Sequence, residues 1–230
     1  MLLVRHGLTK MTGPVLAGHT PGLHLDDRGW AQARGVAERL RVLPLAALVS
    51  SPLDRCLDTA SAVAEGRGPD GAAQEVHVEP RVVEVDYGTW TGRELKALAK
   101  EPLWKVVQAH PSAAVFPAGE GLAAVQARAV AAVRDWNARV GPDATYAVFA
   151  HGDVIKALLA DALGQHLDSF QRIVVDPCSV SVVSYTPLRP FVQRVNDTGG
   201  TFEGLLPATR GRRRRSAALA SDAAVGGGGG

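Results

Sequence analysis

The sequence predicts an α/β fold with a mainly parallel sheet. Short apolar runs typical of buried strands occur at residues 2–4, 45–49 and 145–150. A stretch with the apolar spacing of a helix follows each run before the next strand, as in folds whose parallel strands are joined by helices. Each run also ends abruptly at polar residues. In open α/β sheets the carboxyl ends of the strands form the edge at which ligands bind, so these polar residues are candidate site residues.

Length and composition are those of an ordinary globular protein. With 230 residues and 46% hydrophobic content, the chain can bury a substantial core. No apolar run reaches the roughly 20 residues of a membrane helix, and the first one ends at Arg5, too early for a signal peptide. We therefore expect a cytoplasmic protein with no membrane partner. The two cysteines, Cys56 and Cys178, are expected to be buried thiols rather than parts of a disulfide or metal site.

The excess of basic charge lies at the C-terminal end. Five of the 25 basic residues but only one of the 23 acidic residues lie from Pro207 onward, so residues 1–206 hold 20 bases and 22 acids. A nearly neutral body gives no reason to expect nucleic-acid binding. The end combines an arginine run, small residues and five terminal glycines. We expect residues 1–206 to form the folded, catalytic domain and residues 207–230 a disordered Arg/Gly-rich tail.

Start and stop signals define the first helices. Residues 8–27 are rich in Gly, Pro, Thr and His and predict a long loop over the end of the first strand. Asp26 or Asp27 suits the N-cap of a helix that runs to about residue 42.

The second helix carries a candidate site residue. Ser51 suits its N-cap and Pro52 its first helical position, which places Arg55 in its first turn, close to a strand end.

The remaining elements follow from the same signals. We predict an extended segment at 75–85, helical pieces at 94–100 and 104–109 separated by Pro102, a long helix at 122–140, a helix from 152 to 163, and closing antiparallel strands at 178–185 and 191–195.

Three predicted strand ends carry residues that suit an oxyanion. Arg5 and His6 follow the first strand, and Arg55 lies just after the second. His151 follows the strand at 145–150. If these strands are parallel, two guanidinium groups and two imidazoles meet at one edge. The dianion that best matches planar, bidentate donors is a phosphoryl group.

A histidine that lies among such donors can also act as a nucleophile. A neutral imidazole is a competent nucleophile near pH 7 and can take up a phosphoryl group. The leaving alkoxide then needs an acid, for which Glu84 is the natural candidate, because burial or the nearby Asp86 can keep it protonated. Glu79, Asp86 and Glu120 are alternative candidates for this role.

A second cluster of polar residues resembles a metal site only loosely. His19, His24, Asp26 and Asp27 lie close together in the predicted loop, but their spacing fits no strong motif. We expect them to face solvent or substrate, and we expect neither a metal nor another cofactor.

The motifs at 3–7, 50–55, 82–90 and 151–152 together resemble the histidine phosphatase superfamily, in its phosphoglycerate-mutase-like branch, over residues 1 to about 195. Within it the chain looks most like an actinobacterial phosphomutase or phosphatase group. The resemblance implies a three-layer α/β/α sandwich with a mainly parallel mixed sheet. It implies these roles: His6 as the phosphorylated residue, Glu84 as proton donor, His151 as the ligand that stabilises the transition state, and Arg5, Arg55, Gly7, Thr12 and Gly152 as further phosphate-binding residues.

The chain departs from the family pattern around the substrate. Leu8 and Thr12 stand where relatives commonly have Glu and Asn, Thr91 replaces a Glu, and residues 119–121 read Gly-Glu-Gly rather than Gly-Glu-Ser. No catalytic group is lost, although Thr12 offers phosphate a weaker donor than an amide.

The reaction type follows from the segment between the acid and the second histidine. Phosphoglycerate mutases carry a longer insertion there that covers the site, so the shorter segment favours hydrolysis of a small phosphorylated metabolite. A phosphomutase and a catalytically weak phosphate-ester-binding module are the alternatives. Both a monomer and a homodimer are compatible with the sequence.

Overall fold

The computed structural model describes residues 1–199, which form a six-stranded mixed sheet with helices on both faces. The strands are β1 (Leu2–Arg5), β2 (Leu45–Ser50), β3 (Val76–Val78), β4 (Thr145–Ala150), β5 (Val180–Tyr185) and β6 (Pro190–Asp197), in the order β3-β2-β4-β1-β5-β6. The helices are α1 (Asp27–Leu40), α2 (Asp54–Ala64), α3 (Leu95–Leu98), α4 (Pro102–Ala109), α5 (Leu122–Val140) and α6 (Gly152–Ala162). The predicted fold class is confirmed.

Alternating strand residues build two cores. In β4, Ala147 and Phe149 face the layer formed by α1 and α2, whereas Val148 and Ala150 face the layer formed by α5 and α6. These four side chains are buried, because a central strand covered on both faces has no polar side.

The parallel strands bring the candidate site residues to one edge. β1 and β2 both pair with β4 in parallel, with Arg5 opposite Ala150 and Ser50 opposite Phe149. The residues that follow these positions therefore meet at the carboxyl edge, as predicted. β5 and β6 are antiparallel to this set, also as predicted.

Several element boundaries differ from the predictions. α2 begins at Asp54 with Leu53 as N-cap, so the predicted cap at Ser51 is wrong. The hydroxyl of Ser51 lies 2.7 Å from His151 Nε2, which draws this residue into the sheet edge instead. The two predicted helical pieces are found as α3 and α4, but Pro102 is the first residue of α4 rather than a residue between them. Only Val76–Val78 of the predicted extended segment pairs as a strand.

Other boundaries agree closely with the predictions. Asp26 is the N-cap of α1 and accepts a hydrogen bond from the Gly29 amide. The long helix at 122–140 is found with the predicted bounds. The predicted domain boundary at 206 and the tail at 207–230 lie outside the described residues.

No helix within residues 1–199 has the length and apolar character needed to cross a membrane.

The start of α1 packs directly on the chain that follows β1. A Cβ added to Gly29 would overlap the carbonyl oxygen of Leu8, and one added to Gly7 would lie 2.7 Å from the Gly29 oxygen. We expect Gly29→Ala to lower the free energy of unfolding by about 1–3 kcal/mol, the usual cost of overpacking. Gly35→Ala, in the same helix, meets nothing within 4 Å and should raise it by about 0.5–1 kcal/mol. If urea unfolding gave the same change in the free energy of unfolding for both variants, the close packing at Gly29 would be contradicted.

Candidate active site

A cavity of about 240 Å³ opens at the carboxyl edge of the sheet. The predicted site residues that line it are Arg5, His6, Thr12, Arg55, Glu84 and Gly152. His151 is fully buried beside it, with its ring centroid 5.3 Å from that of His6. The cavity therefore collects residues from β1 and the loop after it, from α2, from the segment after β3 and from the start of α6.

His6 is held as a neutral imidazole whose lone pair is on Nε2. Its Nδ1–H donates to the carbonyl oxygen of Gly7 at 2.7 Å, which leaves Nε2 unprotonated. Burial lowers the pKa of His6 well below its usual value, and the charges of Arg55 and Arg5 lower it further. Arg55 Nε donates to His6 Nε2 at 3.2 Å. Nε2 is therefore the atom available for attack on an electrophile.

The two guanidinium groups keep unused donors at this site. Arg5 Nη1 donates to the Val175 carbonyl at 2.6 Å, and Arg55 Nη2 donates to the Gly18 carbonyl at 2.8 Å. Arg5 Nε and Arg55 Nη1 are buried and have no hydrogen-bond partner within residues 1–199. Buried donors without acceptors cost free energy, so the site is built for an anion with several oxygens.

The ring of His151 is held in place by contacts at Nε2. Its Nε2 lies 2.7 Å from Ser51 Oγ and 3.4 Å from Cys56 Sγ. Burial lowers the pKa of His151 well below its usual value, with Arg55 as the next cause. Burial also raises the pKa of the Cys56 thiol to about 12, so this cysteine is the inert buried thiol that the sequence predicts.

Glu84 is a buried carboxyl beside His151. Its Oε2 lies 3.9 Å from His151 Nδ1, and its Oε1 accepts a hydrogen bond from the Val85 amide at 3.0 Å. Burial raises the pKa of Glu84 to about 7, and the charge of Asp153 adds to this, against the opposing effect of Arg55. Glu84 is thus a carboxyl group that carries a proton at slightly acid pH.

The alternative acids are engaged elsewhere and do not line the cavity. Glu79 is paired with Arg81, whose hydrogen bonds lower the pKa of Glu79 to about 2. Glu120 is paired with Arg128, and Asp86 accepts a hydrogen bond from the Gly88 amide.

The second polar cluster is dispersed. His24 pairs with Asp58, and Asp26 caps α1. His19 turns inward, and its Nε2–H donates to the carbonyl oxygen of Glu84 at 2.6 Å. Within residues 1–199 no group of three or more His, Cys, Asp or Glu side chains is placed to hold a metal ion.

The hydrogen bond from His19 to the carbonyl oxygen of Glu84 is one of the contacts that the sequence did not predict. It ties the loop between β1 and α1 to the backbone of Glu84. Arg128 Nη2 donates to the same carbonyl oxygen at 3.1 Å, so Glu84 is held from two sides.

The smaller residues of the predicted set have mixed placements. Gly152 lines the cavity, and a Cβ there would lie 3.6 Å from the Arg5 guanidinium. Thr12 lines the cavity, and its Oγ1 lies 3.0 Å from Thr9 Oγ1. Gly7 does not line the cavity, and its amide donates to Thr59 Oγ1 at 3.1 Å. The phosphate contacts of Thr12, Gly7 and Gly152 stay predictions.

Tyr87, Asp153 and Lys156 also line the cavity and were not singled out in the sequence. Tyr87 OH donates to Asp153 Oδ2 at 2.8 Å, and Lys156 Nζ donates to Asp153 Oδ1 at 3.2 Å. The spacing of Asp153 and Lys156 was the available signal, because residues three apart share one face of a helix that starts at the site.

Comparison with known proteins gives one family. The profile of the histidine phosphatase superfamily (branch 1) matches residues 1–198. Phosphoserine phosphatase 1 of Hydrogenobacter thermophilus is 31% identical over 209 residues, which is 86% of this chain and 92% of that protein. The probable phosphoglycerate mutase GpmB of Cronobacter sakazakii is 30% identical over 188 residues, or 80% and 83% of the two chains.

A solved structure agrees with these sequence matches. A mycobacterial glucosyl-3-phosphoglycerate phosphatase superimposes with a TM-score of 0.76 at 26% identity, covering 86% of this chain and 98% of that one.

Proposed function

This chain belongs to the histidine phosphatase superfamily (branch 1), and we propose that it hydrolyses phosphomonoesters of a small metabolite through a phosphohistidine at His6. The observation that carries the proposal is the neutral His6 Nε2 beside the unpartnered donors of Arg5 and Arg55. A nucleophile, an oxyanion site and a protonated acid stand around one cavity, which is what phosphoryl transfer to an enzyme side chain requires.

In the first step His6 Nε2 attacks phosphorus and the bond to the ester oxygen breaks. The Nε–H of Arg55 leaves the histidine lone pair and, with the other guanidinium donors, turns to the equatorial oxygens of the phosphoryl group. Glu84 gives its proton to the departing alkoxide, so the alcohol leaves neutral. His151, also neutral, stabilises the transferring phosphoryl group.

In the second step water replaces the histidine. Glu84, now a carboxylate, takes a proton from a water molecule that attacks the phosphorus of phosphohistidine. The nitrogen–phosphorus bond breaks, inorganic phosphate leaves, and Glu84 is again protonated. His6 recovers its lone pair because the Gly7 carbonyl keeps the ring proton on Nδ1 throughout.

The test is release of inorganic phosphate from p-nitrophenyl phosphate and a panel of metabolite esters with EDTA present. Side chains fill each role in the proposed steps, so we expect turnover that the chelator leaves unchanged. Strong inhibition by EDTA, or no turnover of any ester by folded protein, would overturn the proposal.

A phosphomutase is the second candidate, favoured by the relative named as a probable phosphoglycerate mutase. Both reactions begin with phosphohistidine and differ in the acceptor. With a ³²P-labelled ester, hydrolysis puts the label into inorganic phosphate, whereas a mutase returns it to an organic product. The cytoplasmic location and the oligomeric state stay predictions.

The rate should decrease above neutral pH. kcat/KM reports the steps up to phosphoryl transfer, which needs Glu84 protonated and His6 neutral. Because the pKa of Glu84 is about 7, kcat/KM for an alkyl ester should decrease tenfold per pH unit above that value. The pKa of His6 lies well below 6.5, so no loss is expected between pH 7 and 6.

A variant links this pH dependence to its cause. Asp153→Asn removes a negative charge that raises the pKa of Glu84, so the decrease should move to lower pH. A pH profile that rises through pH 7, or one that is unmoved in this variant, would contradict the assignment of Glu84.

A further inference from the structure

Beyond the phosphoryl group, one wall of the cavity carries an ion pair and a phenol. We propose that Tyr87, Asp153 and Lys156 bind the leaving group, and that this group is an uncharged, hydroxyl-bearing alcohol such as a sugar or polyol. The inference rests on the proposed phosphatase function and adds the class of ester that the site accepts.

The three residues form a connected unit along that wall. Asp153 accepts from Tyr87 OH at 2.8 Å and from Lys156 Nζ at 3.2 Å, and all three side chains line the cavity with Glu84. Lys156 also donates to Gln171 Oε1 at 3.2 Å and lies over the ring of Phe170. These contacts fix the ammonium and carboxylate before any ligand arrives.

The net positive charge of the side chains that line the cavity equals the negative charge of a phosphoryl dianion. It leaves no positive charge for a second anionic group. Within residues 1–199 the cationic side chains at the cavity are Arg5, Arg55 and Lys156, and the acids are Asp153 and Glu84. Glu84 carries a proton at slightly acid pH, so Asp153 offsets one of the three positive charges and two remain. The two guanidinium groups meet the two charges of the phosphoryl group. A carboxylate on the leaving group would have no free cation and would lie near Asp153.

Hydrogen-bonding capacity points to hydroxyl groups. Each oxygen of Asp153 accepts one hydrogen bond and keeps a second lone pair, and Lys156 has a third N–H beyond those given to Asp153 and Gln171. A hydroxyl both donates and accepts, so it can use a lone pair of Asp153 and the remaining N–H of Lys156 together.

Apolar side chains also line the cavity: Val15, Leu16, Ala17, Leu95 and Val175. A sugar or polyol presents C–H surface as well as hydroxyls, so it suits a cavity lined by both polar and apolar side chains.

A matched pair of substrates tests the charge of the leaving group. Glycerol 3-phosphate and 3-phosphoglycerate share three carbons and a terminal phosphate but differ in a hydroxymethyl against a carboxylate. At pH 6 with EDTA we expect kcat/KM for glycerol 3-phosphate and for a hexose 6-phosphate to exceed that for 3-phosphoglycerate by at least about tenfold, the effect of one unpaired charge. O-phosphoserine, with a zwitterionic leaving group, serves as a third comparison.

Variants of the ion pair should change this ratio in opposite directions. Asp153→Asn leaves the charge of Lys156 unbalanced, so the preference for glycerol 3-phosphate over 3-phosphoglycerate should decrease by about tenfold or reverse. Lys156→Gln leaves Asp153 unbalanced and should increase that preference. Asp161→Asn, a carboxylate of the same helix outside the cavity, should leave the ratio unchanged. A substitution that slows the turnover of both esters by the same factor leaves this ratio of kcat/KM values unchanged.

The outcomes separate this inference from the function it rests on. Turnover of p-nitrophenyl phosphate with a preference for 3-phosphoglycerate or O-phosphoserine would overturn the inference and leave the phosphatase proposal intact. The same ratio of kcat/KM for glycerol 3-phosphate over 3-phosphoglycerate in wild type and Asp153→Asn would also overturn the inference and leave the phosphatase proposal intact. No turnover even of p-nitrophenyl phosphate would overturn both.

Discussion

Replacing His6 with alanine is expected to reduce phosphate release from p-nitrophenyl phosphate by a factor on the order of 10⁴ or more. In the proposed mechanism the imidazole is the nucleophile, and Arg5, Arg55 and His151 are not placed to replace it. Its removal also leaves Arg55 Nε without the acceptor it has at 3.2 Å. The loss should appear in kcat/KM for every ester, because in the proposed mechanism each passes through the same phosphohistidine.

Two controls make this loss specific to the nucleophile. His110→Ala removes an exposed histidine outside the cavity and should leave turnover unchanged. Circular dichroism should show that His6→Ala is folded. A rapid alkaline quench with ³²P-labelled substrate should find the label on wild-type protein, since phosphohistidine survives base, and none on the variant. Retention of more than a few per cent of turnover, or labelling of a different residue, would contradict the role of His6.

The candidate site could be predicted wherever its residues directly follow a strand. Arg5, His6 and His151 each come straight after an apolar run, and parallel pairing of those runs is enough to bring them together. Each site residue can be recognised from the apolar run just before it. The parallel pairing of the strands then brings the strand ends together at one edge of the sheet. Arg55 was predicted for the same reason, although its helix begins later than expected.

Contacts between distant segments could not be predicted in this way. Ser51 has the residue type of an N-cap, but its hydroxyl contacts His151, 100 positions away, and the helix begins at Asp54 instead. His19 likewise reaches the backbone of Glu84 across 65 positions. In both cases a tertiary contact outcompetes a local preference, and a single sequence contains no record of that competition.

Burial sets the protonation of both catalytic partners. Removing water disfavours the charged form of any group, so it lowers the pKa of His6 and raises that of Glu84. Below about pH 7 the same cavity therefore holds a neutral histidine and a carboxyl with its proton. The positive charges of Arg5 and Arg55 reinforce the first effect and oppose the second, and Asp153 offsets them near Glu84.

Glu84→Gln should separate esters by their leaving groups. Glutamine can keep the hydrogen bond from the Val85 amide, now 3.0 Å from Oε1, but it cannot give a proton to a departing alkoxide. We expect kcat/KM for an alkyl ester such as glycerol 3-phosphate to decrease by about 10²–10⁴-fold, the usual contribution of a general acid. For p-nitrophenyl phosphate, whose phenolate leaves without a proton, the decrease should stay within about tenfold.

The comparison uses kcat/KM because this ratio is insensitive to the proposed second step. In that step Glu84 would act as base, and both esters would give the same phosphohistidine. Across a series of aryl and alkyl esters, the variant should depend much more steeply on the pKa of the leaving alcohol than the wild type does. Glu94→Gln, an exposed glutamate outside the cavity, should show the wild-type dependence. Equal losses on both kinds of ester would show that Glu84 positions the site without giving the proton. Asp153, a second carboxyl that lines the cavity within residues 1–199, would then be the candidate acid.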